Sequence, residues 1–194
     1  MTIPKIWFLR HGQTEWNAQG RIQGQLESDL TRLGREQARQ QARLMASVLE
    51  ASPPCFVSPM RRARQTAKIA LSGRPFAVDT RLAEVQAGLI QGMTRPEVET
   101  RWPGLSTNNP TGLDLFCEAP EGEGFAAFEA RIQSFLAELR EPTVIVAHGL
   151  LGQVLRGLVC GLDRAAMAAL PNEQGCIYVL EDGRETVLKE TVTV

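Results

Sequence analysis

Histidine is scarce in this chain: His11 and His148 are the only two among 194 residues. Two imidazoles without a third ligand make a poor zinc centre, so no metal is expected. Cysteine is sparse and unpatterned. Cys55, Cys117, Cys160 and Cys176 form no CxxC pair, and three of them lie in or beside apolar runs. Buried, reduced thiols in a cytoplasmic protein are the expectation. Excess charge of either sign is missing too, with 21 Lys and Arg against 22 Asp and Glu and a formal net charge of −1. That excludes a nucleic-acid-binding tail and a polybasic membrane segment, so any anion site must be local. No apolar run approaches the length of a membrane span, and no charged-then-apolar segment opens the chain. Neither G-x-S-x-G nor G-x-x-x-x-G-K-[ST] occurs, which removes the nucleophile-elbow hydrolases and the P-loop proteins. There is no internal repeat and no low-complexity stretch.

What is present is alternation. Apolar residues make up 43% of the chain, and the length suits a single domain, 1–194, with a sizeable core. "KIWFLR" and "PPCFVS" read as short strands, and "FAVDTRL" as a third. "PTVIVAHG" is the strongest strand, a near-continuous β-branched run of the kind that a central parallel strand needs when both its faces are covered. Residues 31–51 carry Ala38, Ala42, Met45, Val48 and Leu49 on one helical stripe, with Thr31 as its cap. "SPMRRARQTAKIAL" reads as a helix with Ser58 at the N-cap and Pro59 at the first helical position. Residues 122–140 form another helix, with Phe125, Phe128, Ile132, Phe135, Leu136 and Leu139 in register. "LLGQVLRGLVCGL" is a largely apolar helix, and the tail reads as a hairpin closing at Asp182-Gly183. Strands alternating with helices predict an α/β fold: a three-layer α/β/α sandwich with a mostly parallel central sheet and an antiparallel edge. Residues 103–121, "PGLSTNNPTGLDLFCEAPE", break the rhythm and read as a long irregular loop, a candidate lid.

The two histidines occupy matched contexts. Each follows an apolar strand and precedes a glycine, in "WFLRHG" and "VIVAHG". In an open α/β sheet, ligands bind outside the carboxyl ends of parallel strands. Both imidazoles should lie there, beside the positive N-terminus of the helix after His148. The neighbours point to phosphate. Arg10 adjoins His11, and Arg62 falls in the first turns of the helix after the second strand. Guanidinium groups grip phosphate oxygens in pairs. Gly12 and Gly149 are expected to let backbone N–H groups approach an anion closely.

On these residues the chain resembles the histidine phosphatase superfamily, which includes the phosphoglycerate mutase-like proteins. "LRHGQTEWN" is similar to that family's R-H-G-x-T-x-x-N, and "RIQGQLESDLTRLG" to its Q-G … L-T-x-x-G stretch. "SPMRRARQTA" matches S-P-L-x-R-A-x-x-T-A, and "LAEVQAGLIQG" matches L-x-E-x-x-x-G-x-x-x-G. "PEGEG" is similar to P-x-G-E-S, and "VIVAHGLLGQVLR" to the strand that bears the second histidine. The matches run in family order from residue 5 to about residue 160.

The resemblance implies a phosphatase that hydrolyses phosphomonoesters of small metabolites through a phosphohistidine. His11 is then the nucleophile; Arg10, Arg62 and His148 hold the phosphoryl group; Asn17, Gln23, Gly24 and Gly149 contact phosphate; Glu84 is the proton donor and later the base. No cofactor is implied. The expected partner is a small phosphorylated substrate rather than nucleic acid or membrane, with a homodimer left open. Two alternatives are a phosphoglycerate mutase and a non-catalytic phospho-ligand binding protein. The presence of all five of Arg10, His11, Arg62, Glu84 and His148 weighs against the second. The mutases are longer and cover their site. Here the 103–121 loop has no Lys or Arg to hold a second acidic group, and Asp114, Glu118 and Glu121 are expected to repel one. The chain departs from the family's D-F-G-x-W-E-G with Gln86-Ala87-Gly88-Leu89-Ile90-Gln91-Gly92, near the substrate, and has Gly124 in place of the serine of P-x-G-E-S.

Overall fold

The computed structural model describes residues 3–190. In chain order the elements are β1 (Ile6–Arg10), α1 (Glu15–Ala18), α2 (Arg32–Glu50), β2 (Cys55–Val57), α3 (Arg61–Ala70) and β3 (Ala77–Val78). Two single-turn 3₁₀ segments, Thr80–Leu82 and Gly88–Ile90, lead to α4 (Arg95–Arg101), α5 (Leu105–Asn108), α6 (Gly112–Cys117) and α7 (Gly124–Glu138). β4 (Thr143–Ala147), α8 (Gly149–Cys160), α9 (Arg164–Ala169), β5 (Ile177–Glu181) and β6 (Arg184–Leu188) follow.

The strands form one six-stranded sheet in the order β3-β2-β4-β1-β5-β6. β3, β2, β4 and β1 run parallel, whereas β5 is antiparallel to β1 and β6 to β5. This is the expected sandwich, and its layers follow from strand periodicity. Val144 and Val146 of β4 pack with Met45 and Leu49 of α2 and Ala63 and Ala67 of α3. Ile145 and Ala147 pack on the opposite face with Phe128, Ile132 and Phe135 of α7 and Leu151 and Val154 of α8. All five residues of β4 are therefore buried, which is why that segment reads as an unbroken apolar run. No helix among the described residues is long and apolar enough to cross a membrane. All four cysteines are free thiols, three of them buried.

Two local readings change. Residues 103–121 are not irregular: α5 and α6 lie there, and Leu113, Leu115 and Cys117 of α6 are buried. Thr111 caps α6, accepting from the Asp114 N–H at 3.0 Å. Asp114 and Glu118 pair with Arg164 of α9, so the repulsion expected of them is largely offset. Ser58 is not a helix cap either. α3 starts at Arg61 with Met60 as its N-cap, and the Ser58 hydroxyl is used elsewhere.

Candidate active site

The sheet order sets the site. β2, β4 and β1 are adjacent and parallel, so their carboxyl ends emerge together. The Ser58 N–H donates to the Val146 carbonyl at 3.0 Å, and the His11 N–H to that of Ala147 at 2.9 Å. Arg10 and His11 from the end of β1, Ser58 from the end of β2 and His148 from the end of β4 are thereby brought to one place. The two imidazole rings lie 5.2 Å apart, edge to face.

A cavity of about 170 Å³ opens over these ends. Arg10, His11 and Arg62 line it, with Glu84 and Gly149. Asn17, Gln23 and Gly24 line it as well, so eight of the nine residues to which the family resemblance gives a role share one cavity. The ninth, His148, is fully buried next to His11. Arg21, Gly112, Phe116, Leu150 and Asn172 complete the lining and carried no signal of their own in the sequence.

His11 Nδ1 lies 2.8 Å from the Gly12 carbonyl, an acceptor only, so Nδ1 carries the proton and Nε2 keeps its lone pair. The Arg62 Nε–H points at that lone pair from 3.3 Å. Burial, and then the Arg62 and Arg10 cations, hold His11 well below the ordinary imidazole pKa. His148 is pushed down in the same way, by burial first and then by Arg62. Both rings are neutral at pH 7. His148 Nε2 is 2.6 Å from Ser58 Oγ, which also accepts from the Met60 N–H at 3.3 Å. With the Ser58 hydroxyl as donor, Nε2 accepts and the imidazole proton sits on Nδ1, which has no partner among the described residues.

The arginines are only partly engaged. Arg62 holds the Leu26 carbonyl at 2.9 Å and the Gly24 carbonyl at 2.7 Å, and it is buried. With Nε directed at His11, two of its five N–H donors remain free. Arg10 donates from Nη1 to the Asn172 carbonyl, and its Nε is buried without a partner. Burial lowers both guanidinium pKa values, and Glu84 raises them in part. They remain cations at any physiological pH. Two guanidinium cations share this cavity, one of them with a buried Nε–H that has no partner among the described residues, and such a lining suits an anion.

The smaller residues divide by role. A Cβ at position 149 would sit 2.7 Å from Asn172 Nδ2 and 3.2 Å from Arg10 Nε, so a side chain at the start of α8 would displace the Asn172 amide and crowd the Arg10 guanidinium. Gly12 serves a different purpose from the one expected. Its N–H donates to Thr66 Oγ1 at 3.1 Å rather than facing an anion, and a Cβ there would meet the Gly34 carbonyl at 2.1 Å. The glycine lets β1 leave the sheet against the backbone of α2. Asn17 Oδ1 accepts from the Thr14 N–H in a capping box and from Gln174, which leaves its amide N–H₂ for a ligand. Gln23 donates to Thr14 Oγ1 at 2.5 Å, and Gly24 adopts a φ of +53°. In the divergent 86–92 segment, Gln91 accepts from the Gln25 N–H at 2.7 Å and steadies the Gly24–Gln25 turn.

Glu84 is buried beside the first turn of α8. Its Oε1 accepts from the Leu151 N–H at 2.9 Å and the Val85 N–H at 3.1 Å, and its Oε2 from the Leu150 N–H at 3.1 Å. α8 has no side-chain cap of its own, and Glu84 supplies one from another segment. Three of the four lone pairs of the carboxylate are filled, leaving one on Oε2. Among the described residues, no group of three or more His, Cys, Asp or Glu side chains is placed to hold a metal ion.

Residues 6–192 match the model of the histidine phosphatase superfamily, branch 1. The chain is 48% identical over 188 residues to a glucosyl-3-phosphoglycerate phosphatase of Mycolicibacterium vanbaalenii, covering 88% of this chain and 77% of that one. It is 27% identical to phosphoserine phosphatase 1 of Hydrogenobacter thermophilus, covering 97% and 92% of the two chains. Among solved structures, a mycobacterial glucosyl-3-phosphoglycerate phosphatase superposes with a TM-score of 0.77 at 31% identity, covering 91% of this chain and 89% of that one. The chain belongs to the histidine phosphatase superfamily. Its activity is accordingly the hydrolysis of phosphomonoesters through a phosphohistidine.

Proposed function

We propose that His11 Nε2 is the nucleophile, that Glu84 moves the protons, and that Arg10, Arg62, His148, Asn17, Gln23, Gly24 and Gly149 form the phosphoryl cradle. The observation that carries this reading is the His11 tautomer, with Nδ1 bound to the Gly12 carbonyl and Nε2 left unprotonated beside Arg62, on a residue that lines the cavity. In the first step Nε2 attacks phosphorus, the ester P–O bond breaks, and the departing oxygen takes a proton from Glu84 Oε2. In the second, the Glu84 carboxylate removes a proton from water. The resulting hydroxide attacks phosphorus, the P–N bond breaks, and phosphate leaves with His11 restored. Charge spreads over the equatorial oxygens in both steps, where the free N–H donors of Arg62, Nε of Arg10 and Nδ1 of His148 stabilise it. The cradle is cationic without a metal, and the reaction needs none.

The substrate is a small phosphomonoester that carries a carboxylate. The names of two relatives support this, because glucosyl-3-phosphoglycerate and phosphoserine both hold a carboxylate two carbons from the ester-bearing carbon. Within the cavity wall, Arg21 is the cation that stands apart from the phosphoryl cradle, and its Nη2 makes no hydrogen bond among the described residues. Hydrolysis is favoured over phosphate migration because no basic residue of 103–121 lines the cavity. Turnover of a ³²P-labelled substrate, quenched in alkaline denaturant because the P–N bond is labile in acid, should yield phosphohistidine in the wild type and none in His11→Ala, whose hydrolysis should be abolished. Undiminished hydrolysis by that variant would remove His11 from the mechanism.

A further inference from the structure

Glu84 lies on a segment with little regular structure, between two 3₁₀ turns, yet general-acid catalysis needs its carboxyl group placed within hydrogen-bond reach of the leaving oxygen. Something must fix that backbone. Arg131, in the middle of α7, reaches it with both ends of its guanidinium. Nη1 donates to the carbonyls of Arg81 at 2.6 Å and Ala83 at 2.7 Å, and Nη2 to that of Glu84 itself at 3.1 Å. The remaining donors of the head close a bidentate pair with Glu123, at 3.0 Å from Nε to Oε2 and 2.8 Å from Nη2 to Oε1. Every donor of the guanidinium is thereby used. Its plane also stacks on Phe128, 4.7 Å from the ring centroid, which fixes the direction of approach.

Glu123 completes the clamp on the far side of Glu84. Its Oε1 accepts from the Gln86 N–H at 2.7 Å, and its own N–H donates to the Gln86 carbonyl at 3.0 Å. One ion pair, mostly buried on both sides, therefore holds the main chain before Glu84, at Glu84 and after it. Neither Arg131 nor Glu123 lines the cavity.

We infer that the Arg131–Glu123 pair is the positioning device of the general acid: it holds the 81–86 backbone so that Glu84 reaches both the first turn of α8 and the leaving oxygen. The inference rests on Glu84 being the proton donor. Lysine at 131 keeps the charge and offers no planar fork, so it cannot hold three carbonyls and a carboxylate at once. A displacement of about 1 Å can slow a reaction by about a hundredfold.

The test is a double-mutant cycle read on two leaving groups. Arg131→Lys should lower kcat for an alkyl phosphomonoester about 10- to 100-fold, and that for p-nitrophenyl phosphate, whose leaving group needs little protonation, less than about threefold. In a Glu84→Gln background, Arg131→Lys should add less than about a further twofold loss. Glu123→Gln, which keeps the side-chain shape and breaks the ion pair, should follow the same pattern and serves if Arg131→Lys does not fold. Equal losses on both leaving groups, or a full additional loss on top of Glu84→Gln, would overturn the inference. Glu84→Gln alone reads the underlying assignment. If its loss is the same on both substrates, Glu84 is not the acid, and the inference falls with it. If only the Arg131 and Glu123 arms fail, that assignment stands.

Discussion

The Ser58 hydroxyl answers to one particular neighbour in the site, and it shows how such a neighbour can be misread from sequence. Its place before Pro59 and a helix makes it look like a cap, whereas the chain turns so that Met60 takes that position and the Ser58 hydroxyl meets His148 Nε2 at 2.6 Å. No pattern in one strand could reveal this, because the partner lies 90 residues away, just past the end of β4. Ser58→Ala should leave Nε2 unpaired in a fully buried ring and free that ring to turn. The net worth of one such hydrogen bond, about 1 to 1.5 kcal/mol, predicts about a tenfold loss in kcat with a wild-type fold. Steady-state rates on the ester substrate, with circular dichroism as control, would show it, and an unchanged kcat would mean that the Ser58 hydroxyl does not orient His148. Arg10, His11 and His148 were legible because their residue types are what phosphate chemistry requires at strand ends, and Arg62 gained weight from their company, whereas Asn17 and Glu84 came only with the family resemblance. Asn172 and Arg131 were not, since an amide in a turn and an arginine on a helix have many uses.

The elements were legible where burial is continuous and obscure where it is local. β4 and the hairpin at Asp182-Gly183 appear as read, the latter with φ of 50° and 71° at its two turn residues. α5 and α6 escaped because helices of four and six residues leave almost no periodicity, and α6 forms only by burying Leu113, Leu115 and Cys117. α8 makes the opposite point. Gly152 in its interior looks like a weakness, because glycine disfavours a helix by about 1 kcal/mol relative to alanine. A Cβ there would lie 2.5 Å from the Phe8 ring, however, in the core that joins α8 to β1. Overpacking of that kind costs about 1 to 3 kcal/mol, so the clash outweighs the gain in propensity. Gly152→Ala should therefore destabilise the protein by up to about 2 kcal/mol. Urea unfolding would check this, and a rise in stability would mean that Phe8 yields freely. Because α8 starts at Gly149, the same substitution should also weaken phosphate binding.

Across the whole molecule, acidic and basic residues nearly cancel, yet the cavity concentrates positive charge. Arg10 and Arg62 are held together beside two imidazoles that burial and those cations keep neutral. This has a consequence for stability. In the unfolded chain, His11 and His148 take up protons near pH 6.5. In the folded chain their pKa values lie well below that, so the unfolded state binds more protons as the pH falls. The stability that depends on the neutral rings is thus fully present above about pH 6.5 and is lost progressively on acidification towards the folded pKa values. Each ring contributes at most about 1.4 kcal/mol per pH unit in that window, so the pair sets an upper limit of about 4 kcal/mol between pH 7 and pH 5. Carboxylates lose stability in the same direction at lower pH, so the useful quantity is a difference between proteins. A His11→Gln, His148→Gln double variant has no imidazole left in the chain. Unfolding free energies from urea titrations at pH 8, 7, 6 and 5 should therefore fall more steeply for the wild type than for the variant, with the gap opening below pH 7. Parallel profiles would show that the two imidazoles are protonated alike in the folded and unfolded chains, contrary to a neutral pair buried between two guanidinium groups.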